Sequence, residues 1–204
     1  MSLGSLRVVL WVLIIAIAGG LGSYVLLREQ TPQRVENGLL KPVAGIGGPF
    51  ALLDQKRRPF TERELEGMPT AMFFGYTFCP DVCPTTLLEA TAWMTELGAD
   101  GDKLRVVFVS VDPERDTPEK LDAYLASFDS RFIGLSGSRE ETDRIVKAYR
   151  VFARKVEGKG GDYTMDHTAA IYLLDAKGRF VGVINFQEQT DKALAKIRQL
   201  LGKA

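Results

Sequence analysis

The sequence predicts an α/β fold behind an N-terminal transmembrane helix. Three observations carry this. Apolar strands alternate with amphipathic helices from Thr70 onward. The chain then closes on a hairpin and a last helix from about Thr190 to Leu201. Upstream, VVLWVLIIAIAGGLGSYVLL runs between Arg7 and Arg28 without a charge, twenty residues long. At about 1.5 Å per residue it spans roughly 30 Å, the hydrocarbon thickness of a bilayer.

The chain divides accordingly into an anchor at 1–29, a tether at 30–47 and a folded domain at 48–204. Trp11 and Tyr24 sit near the ends of the apolar run, where aromatic residues meet the membrane interface. A cleaved signal peptide is the alternative, with AIA at Ala16 to Ala18 as its cleavage site. The run continues well past that site, which favours an uncleaved anchor. Arg7 and the α-amino group weakly favour an N-terminus in the cytoplasm and the folded part outside. No Arg/Ser-rich transit segment precedes the anchor, which points to a bacterial inner membrane and a periplasmic domain. The tether is rich in Pro and Gly. With 204 residues and a formal net charge of zero, nothing suggests nucleic acid as a partner.

Each element of the folded part has its own signal. FALLDQKRRPF reads as a short hairpin, and TAMFFGY, Thr70 to Tyr76, as a buried strand. Leu87, Leu88, Thr91, Met94 and Leu97 follow at helical spacing, stopped by Gly98. Pro84 suits the first helical position, so Cys83 is expected at or beside the N-cap. LRVVFVSVD, Leu104 to Asp112, is the next strand. Thr117 and Pro118 open a helix as N-cap and first residue. RFIGLSG is a short strand, and Ser138 with Glu141 forms a capping box for the next helix. After ARKVEG and a Gly/Lys-rich loop from Gly158 to Asp162, HTAAIYLLD is expected as one strand from His167 to Asp175. RFVGVIN pairs with it across the AKG turn. On the last helix, Leu194, Ile197 and Leu201 share one face.

The chemistry concentrates in YTFCPDVCPTT, which holds both cysteines of the chain, Cys79 and Cys83. A disulfide there closes a very short loop and constrains the unfolded chain little. A redox dithiol and a pair of metal ligands both gain from a helix N-terminus, where the thiolate is favoured. Three intervening residues are one more than in a thioredoxin-type motif. Two sulfurs suit Cu(I) or Zn(II). A closed zinc site needs four ligands, and the chain holds a single histidine, His167. Cu(I) accepts three, the third being His167 or a methionine such as Met165. The residues alone leave the redox and metal readings open.

GYTFCPDVCPTTL, VSVDPERDTPEKLDAY and MDHTAAIYLLDAKGRFVG together closely resemble the three motif blocks of the SCO/SenC family. The similarity covers roughly Gly47 to Leu201, and the anchor matches as well. The resemblance implies a thioredoxin-like fold and copper, as Cu(I) or Cu(II), held by Cys79, Cys83 and His167. It implies a metallochaperone serving the CuA centre of cytochrome c oxidase. The partners would be oxidase subunit II, a copper donor protein and a thiol–disulfide reductant. Asp81 and Asp166 also match the family, each as readily a solvated loop charge as a functional group. DPERDTPE, Asp112 to Glu119, reads as a structural turn and helix cap. One departure is GMPT before the Thr70 strand, where the family pattern has a Gly-Lys pair. The alternative function is a thiol–disulfide reductase with Cys79 and Cys83 as its redox-active pair. Peroxidase activity on the same fold is a more remote third.

Overall fold

A computed structural model describes residues 40–202, together with Trp11 and Ile17. The chain separates into two units, Met1–Gly38 and Leu39–Ala204. The expected anchor and most of the tether lie outside the described residues. Among the described residues no helix is long and apolar enough to cross a membrane.

The second unit is built on a seven-stranded mixed sheet in the order β2-β1-β5-β4-β3-β8-β9. Its centre is β3 (Thr70–Gly75), with every residue buried. β3 runs parallel to β4 (Arg105–Ser110), and β4 parallel to β5 (Ile133–Ser136). Such uninterrupted burial marks strands covered on both faces. The hairpin of β1 (Ala51–Asp54) and β2 (Pro59–Thr61) extends one side of the sheet, antiparallel to β5. Its turn is tied by Asp54, whose carboxylate accepts the backbone N–H groups of Lys56 and Arg58 at 2.9 and 2.8 Å. The other side is the antiparallel pair β8 (Ala170–Leu174) and β9 (Phe180–Asn185), with β8 against β3.

Helix α1 (Val82–Leu97) connects β3 to β4, and α2 (Pro118–Leu125) connects β4 to β5. Helix α2 packs on β5 closely enough that a Cβ on Gly134 would stand 2.7 Å from Leu125 Cδ1. Helices α3 (Arg139–Ala148) and α4 (Thr190–Leu200) complete the layers. Thr117 caps α2 as its sequence predicts, accepting the N–H of Lys120. Ser138 caps α3, but the capping box is only half formed. The Glu141 carboxylate instead accepts the N–H of Ala51 on β1, so tertiary pairing replaces the local return bond.

Three local expectations need correction. Helix α1 begins at Val82 with Asp81 as N-cap, two residues before Pro84. Proline fits there as well, because the first-turn N–H groups have no intrahelical partner. The buried face of α1 is Cys83, Thr86, Leu87, Ala90, Trp93, Met94 and Leu97, whereas Leu88 is exposed. The expected single strand from His167 to Asp175 is two. β6 (Ala153–Glu157) and β7 (Tyr163–His167) form a separate hairpin, and β8 starts only at Ala170. At the break, the Thr168 N–H donates to Phe152 O and the Thr168 Oγ1 accepts the Phe152 N–H. The chain closes the base of one hairpin there before it joins the main sheet.

Leu173 is fully buried where β8 pairs with Ala71 of β3. Leu173→Ala is expected to lower unfolding free energy by about 2–5 kcal/mol through lost transfer energy and a cavity. Chemical denaturation checks this, with a change below about 1 kcal/mol as the contrary result.

Candidate metal centre

Three chain junctions meet at one end of the sheet. β3 ends at Gly75 and β4 at the neighbouring Ser110, because the two run in parallel register. β8 runs the other way, so its beginning lies at this same end, Phe73 facing Ile171. The cysteine loop leaves β3 there, the segment 112–116 leaves β4 there, and β7 delivers His167 there just before β8 begins. Functional groups of open α/β folds gather at the carboxyl ends of parallel strands for this reason.

Cys79, Cys83 and His167 thus converge, their ligand atoms all within 4.8 Å of one another. Both cysteines are free. Cys83 is buried and Cys79 half-buried. Cys83 lies on the first turn of α1, and its backbone N–H donates to Cys79 Sγ at 3.4 Å. The sulfur that the helix terminus stabilises most directly is therefore Cys79, whereas position alone suggested Cys83. The pair shares one negative charge. A hydrogen bond from the Cys83 thiol drives the Cys79 pKa far below the ordinary thiol range despite partial burial. The same bond, followed by burial, pushes Cys83 up. Metal-free, Cys79 is the thiolate and Cys83 the thiol.

His167 is fixed from several sides. Its Nδ1 lies 3.1 Å from the Thr168 carbonyl, which can only accept, so Nδ1 carries the proton. Nε2 is left with its lone pair directed at the sulfurs, 3.5 Å from Cys83 Sγ. Phe73 and Tyr76 meet the imidazole edge-on, with ring centroids at 6.0 and 5.8 Å. Gly75 makes room for Cys83: a Cβ there would stand 2.8 Å from its Sγ and 2.7 Å from Phe108 Cε2. A glycine ending a buried strand just ahead of the cysteines was the available signal.

The other sequence candidates lie around this core. Asp81 holds the N-cap position, but its carboxylate takes only the Thr85 hydroxyl at 3.3 Å and caps no backbone N–H. Asp166 is exposed and pairs with Arg154 across the β6–β7 hairpin at 2.8 Å. Met165 is buried along the same cleft, an opening of about 290 Å³ bordered by Cys79, Val82 and His167. The segment 112–116 is more than a turn and cap. Asp116 is 1% exposed and accepts bonds from Thr77 N, Thr77 Oγ1 and Ser110 Oγ at 3.0, 2.6 and 2.7 Å. Burial raises its carboxyl pKa against those bonds. It thereby ties down the loop two residues before Cys79.

Two sulfurs and one imidazole make a soft donor set, three in number, suited to Cu(I). The cleft leaves one side of it open. The profile of the SCO1/SenC family matches residues 40–202, nearly all of the second unit. The chain belongs to the SCO1/SenC family. Among its SCO relatives, the SCO2-like protein of Rickettsia felis is 36% identical over 183 residues, covering 83% of this chain and 86% of that protein. The mitochondrial SCO2 of Saccharomyces cerevisiae is 34% identical over 195 residues, and the chain spans 64% of its length. ScoI of Bradyrhizobium japonicum, solved with copper bound, has 50% identity and a TM-score of 0.72, covering 76% of this chain and 99% of that one. Yeast Sco1 with copper bound has 33% identity and a TM-score of 0.72, covering 78% and 90%. These SCO structures share the thioredoxin-like α/β fold found here.

The charge asymmetry of the two sulfurs has a direct consequence. A thiol with a lowered pKa is already ionised at neutral pH, so its reactivity is lost only in acid. In the metal-free, reduced protein, iodoacetamide is expected to modify Cys79 before Cys83, at a rate nearly constant between about pH 6 and 8. Mass spectrometry of timed digests reads both. A rate rising about tenfold per pH unit, as for an ordinary thiol, would contradict the assignment.

Proposed function

We propose that this chain is a membrane-anchored copper chaperone that carries copper on Cys79, Cys83 and His167. Its acceptor in this reading is the CuA centre of cytochrome c oxidase, on subunit II. The observation that carries the reading is the convergence of two sulfurs and one imidazole within 4.8 Å at an open cleft. Membership of the SCO1/SenC family, and relatives solved with copper bound, support it. The charge-free run ahead of the folded unit supports a single-pass anchor in a bacterial inner membrane, with the domain in the periplasm.

The residues divide the work. The Cys79 thiolate, half-buried at the cleft, offers the first donor. The Nε2 lone pair of His167 offers the second without losing a proton. Cys83 gives up its proton as it becomes the third, so loading releases about one proton per site. With three donors and an open side, a partner's thiolates have room to attack stepwise and take the cargo. Closing a Cys79–Cys83 disulfide from the metal-free pair releases one proton and two electrons to an oxidant and removes both sulfur donors, so capacity depends on redox state. A copper donor protein and a thiol–disulfide reductant complete the cycle. Cu(II) is also within the donor set's range, because imidazole tolerates it.

The ionised, accessible Cys79 beside a protonated Cys83 favours one second reading, a reductase of the acceptor's cysteines. There Cys79 attacks the partner's disulfide and forms a mixed disulfide. Cys83 then displaces the partner, which leaves with two reduced thiols while Cys79–Cys83 becomes oxidised. His167 separates the readings. In His167→Ala both thiols remain, and Cu(I) affinity is expected to fall on the order of tenfold or more. Cells carrying it as their sole copy, at low external copper, should lose oxidase activity at normal protein level. Near-normal activity together with demonstrably weak copper binding would favour the reductase.

A further inference from the structure

His167 sits at the end of a hairpin outside the main sheet, while the cysteines sit on a loop that leaves it. The same five residues, Asp112 to Asp116, grip both. Asp116 holds Thr77 of the cysteine loop by its backbone and hydroxyl. Asp112, wholly buried, accepts the Tyr163 hydroxyl of β7 at 2.8 Å and pairs with Arg115. Arg115 lies over the Tyr163 ring, its guanidinium carbon 3.6 Å from the centroid, and its Nη1 donates to the Tyr163 carbonyl at 3.0 Å. The same guanidinium faces Phe78 at 4.7 Å and Tyr76 at 5.7 Å, the two aromatic residues that lead into Cys79. Glu114 adds an ion pair to Lys155 of β6 at 3.1 Å.

We infer that Arg115 is a positioning residue, the strut that fixes the distance between His167 and the two sulfurs. The guanidinium is suited to this. Its plane stacks on aromatic faces while its fork bonds in the plane, which an ammonium cannot do. It bridges aromatic residues of both ligand-bearing segments, and its ion pair with Asp112 is anchored in the body of the domain. Held this way, the hairpin presents Nε2 to the sulfurs before any metal arrives. With the strut weakened, the hairpin keeps its own strand pairing but swings on its base, and His167 leaves first. The metal-binding part of this inference rests on the copper reading above; the positioning part does not.

The test uses Arg115→Lys, which keeps a positive charge beside the buried Asp112 but loses the stack and the fork. Tyr163→Phe is the second variant, keeping the ring and removing only the hydroxyl, with its bonds to Asp112 and Glu114. His167 is the chain's one histidine, so its imidazole signals in NMR are unambiguous. In the reduced, metal-free protein, both variants are expected to move the His167 ring resonances toward those of free histidine, with the melting temperature nearly unchanged. Cu(I) affinity, measured by chelator competition, should fall on the order of tenfold in Arg115→Lys, with no further loss when His167→Ala is already present. Unmoved imidazole resonances in both variants would overturn the proposal, and so would an equal loss of affinity with His167 absent. If Arg115→Lys fails to fold, Tyr163→Phe decides by the same resonances. If the unaltered protein binds no Cu(I), the copper reading fails and the imidazole shifts alone decide the role of Arg115.

Discussion

The hydrogen bonding of β3 between β4 and β8 is the constraint on which the rest of the molecule depends. Parallel pairing with β4 brings the ends of both strands to one edge. Antiparallel pairing with β8 brings that strand's beginning to the same edge. Residues 84 positions apart, Cys83 and His167, thereby come to hydrogen-bonding distance. Neither ligand segment builds the site by itself. The sheet does, and the apolar burial of β3, β4 and β8 holds the sheet together.

The site is asymmetric, and its chemistry follows from that. Cys83 is locked into the core by a strand-ending glycine and the first turn of α1, and it keeps its proton. Cys79 lies nearer the surface, carries the charge and accepts a helix N–H. His167 turns Nε2 to the sulfurs because its other nitrogen is committed to a carbonyl. A partner approaching the cleft meets the thiolate and the imidazole before the buried sulfur. A closed structural centre encloses all its ligands; this one leaves Cys79 and His167 half-buried at the cleft.

Much of this was readable in the sequence because local signals agreed with the fold. The strands around Thr70 and Leu104, the Thr117 cap and the Gly98 stop appear in the structure where pattern and turn chemistry put them. The cysteines and His167 stood out through their scarcity. The break at Thr168 was not readable, since HTAAIYLLD reads as one strand and only the crossing between two sheets divides it. The exposure of Leu88 and burial of Trp93 were likewise decided by which way α1 faces. Asp112, Arg115 and Asp116 looked like turn chemistry because their partners, Tyr163 and Thr77, are distant in sequence. The one local hint was a pair of aspartates flanking an arginine directly after a buried strand.

Copper-edge X-ray absorption of the protein loaded with one equivalent of Cu(I) under reducing conditions tests the three-ligand centre most directly. Convergence of Cys79, Cys83 and His167 predicts a first shell of two sulfurs and one nitrogen, with the outer-shell scattering of an imidazole ring. That ring signal should vanish in His167→Ala. A shell of sulfur alone in the unaltered protein, or an imidazole signal that survives the substitution, would contradict it.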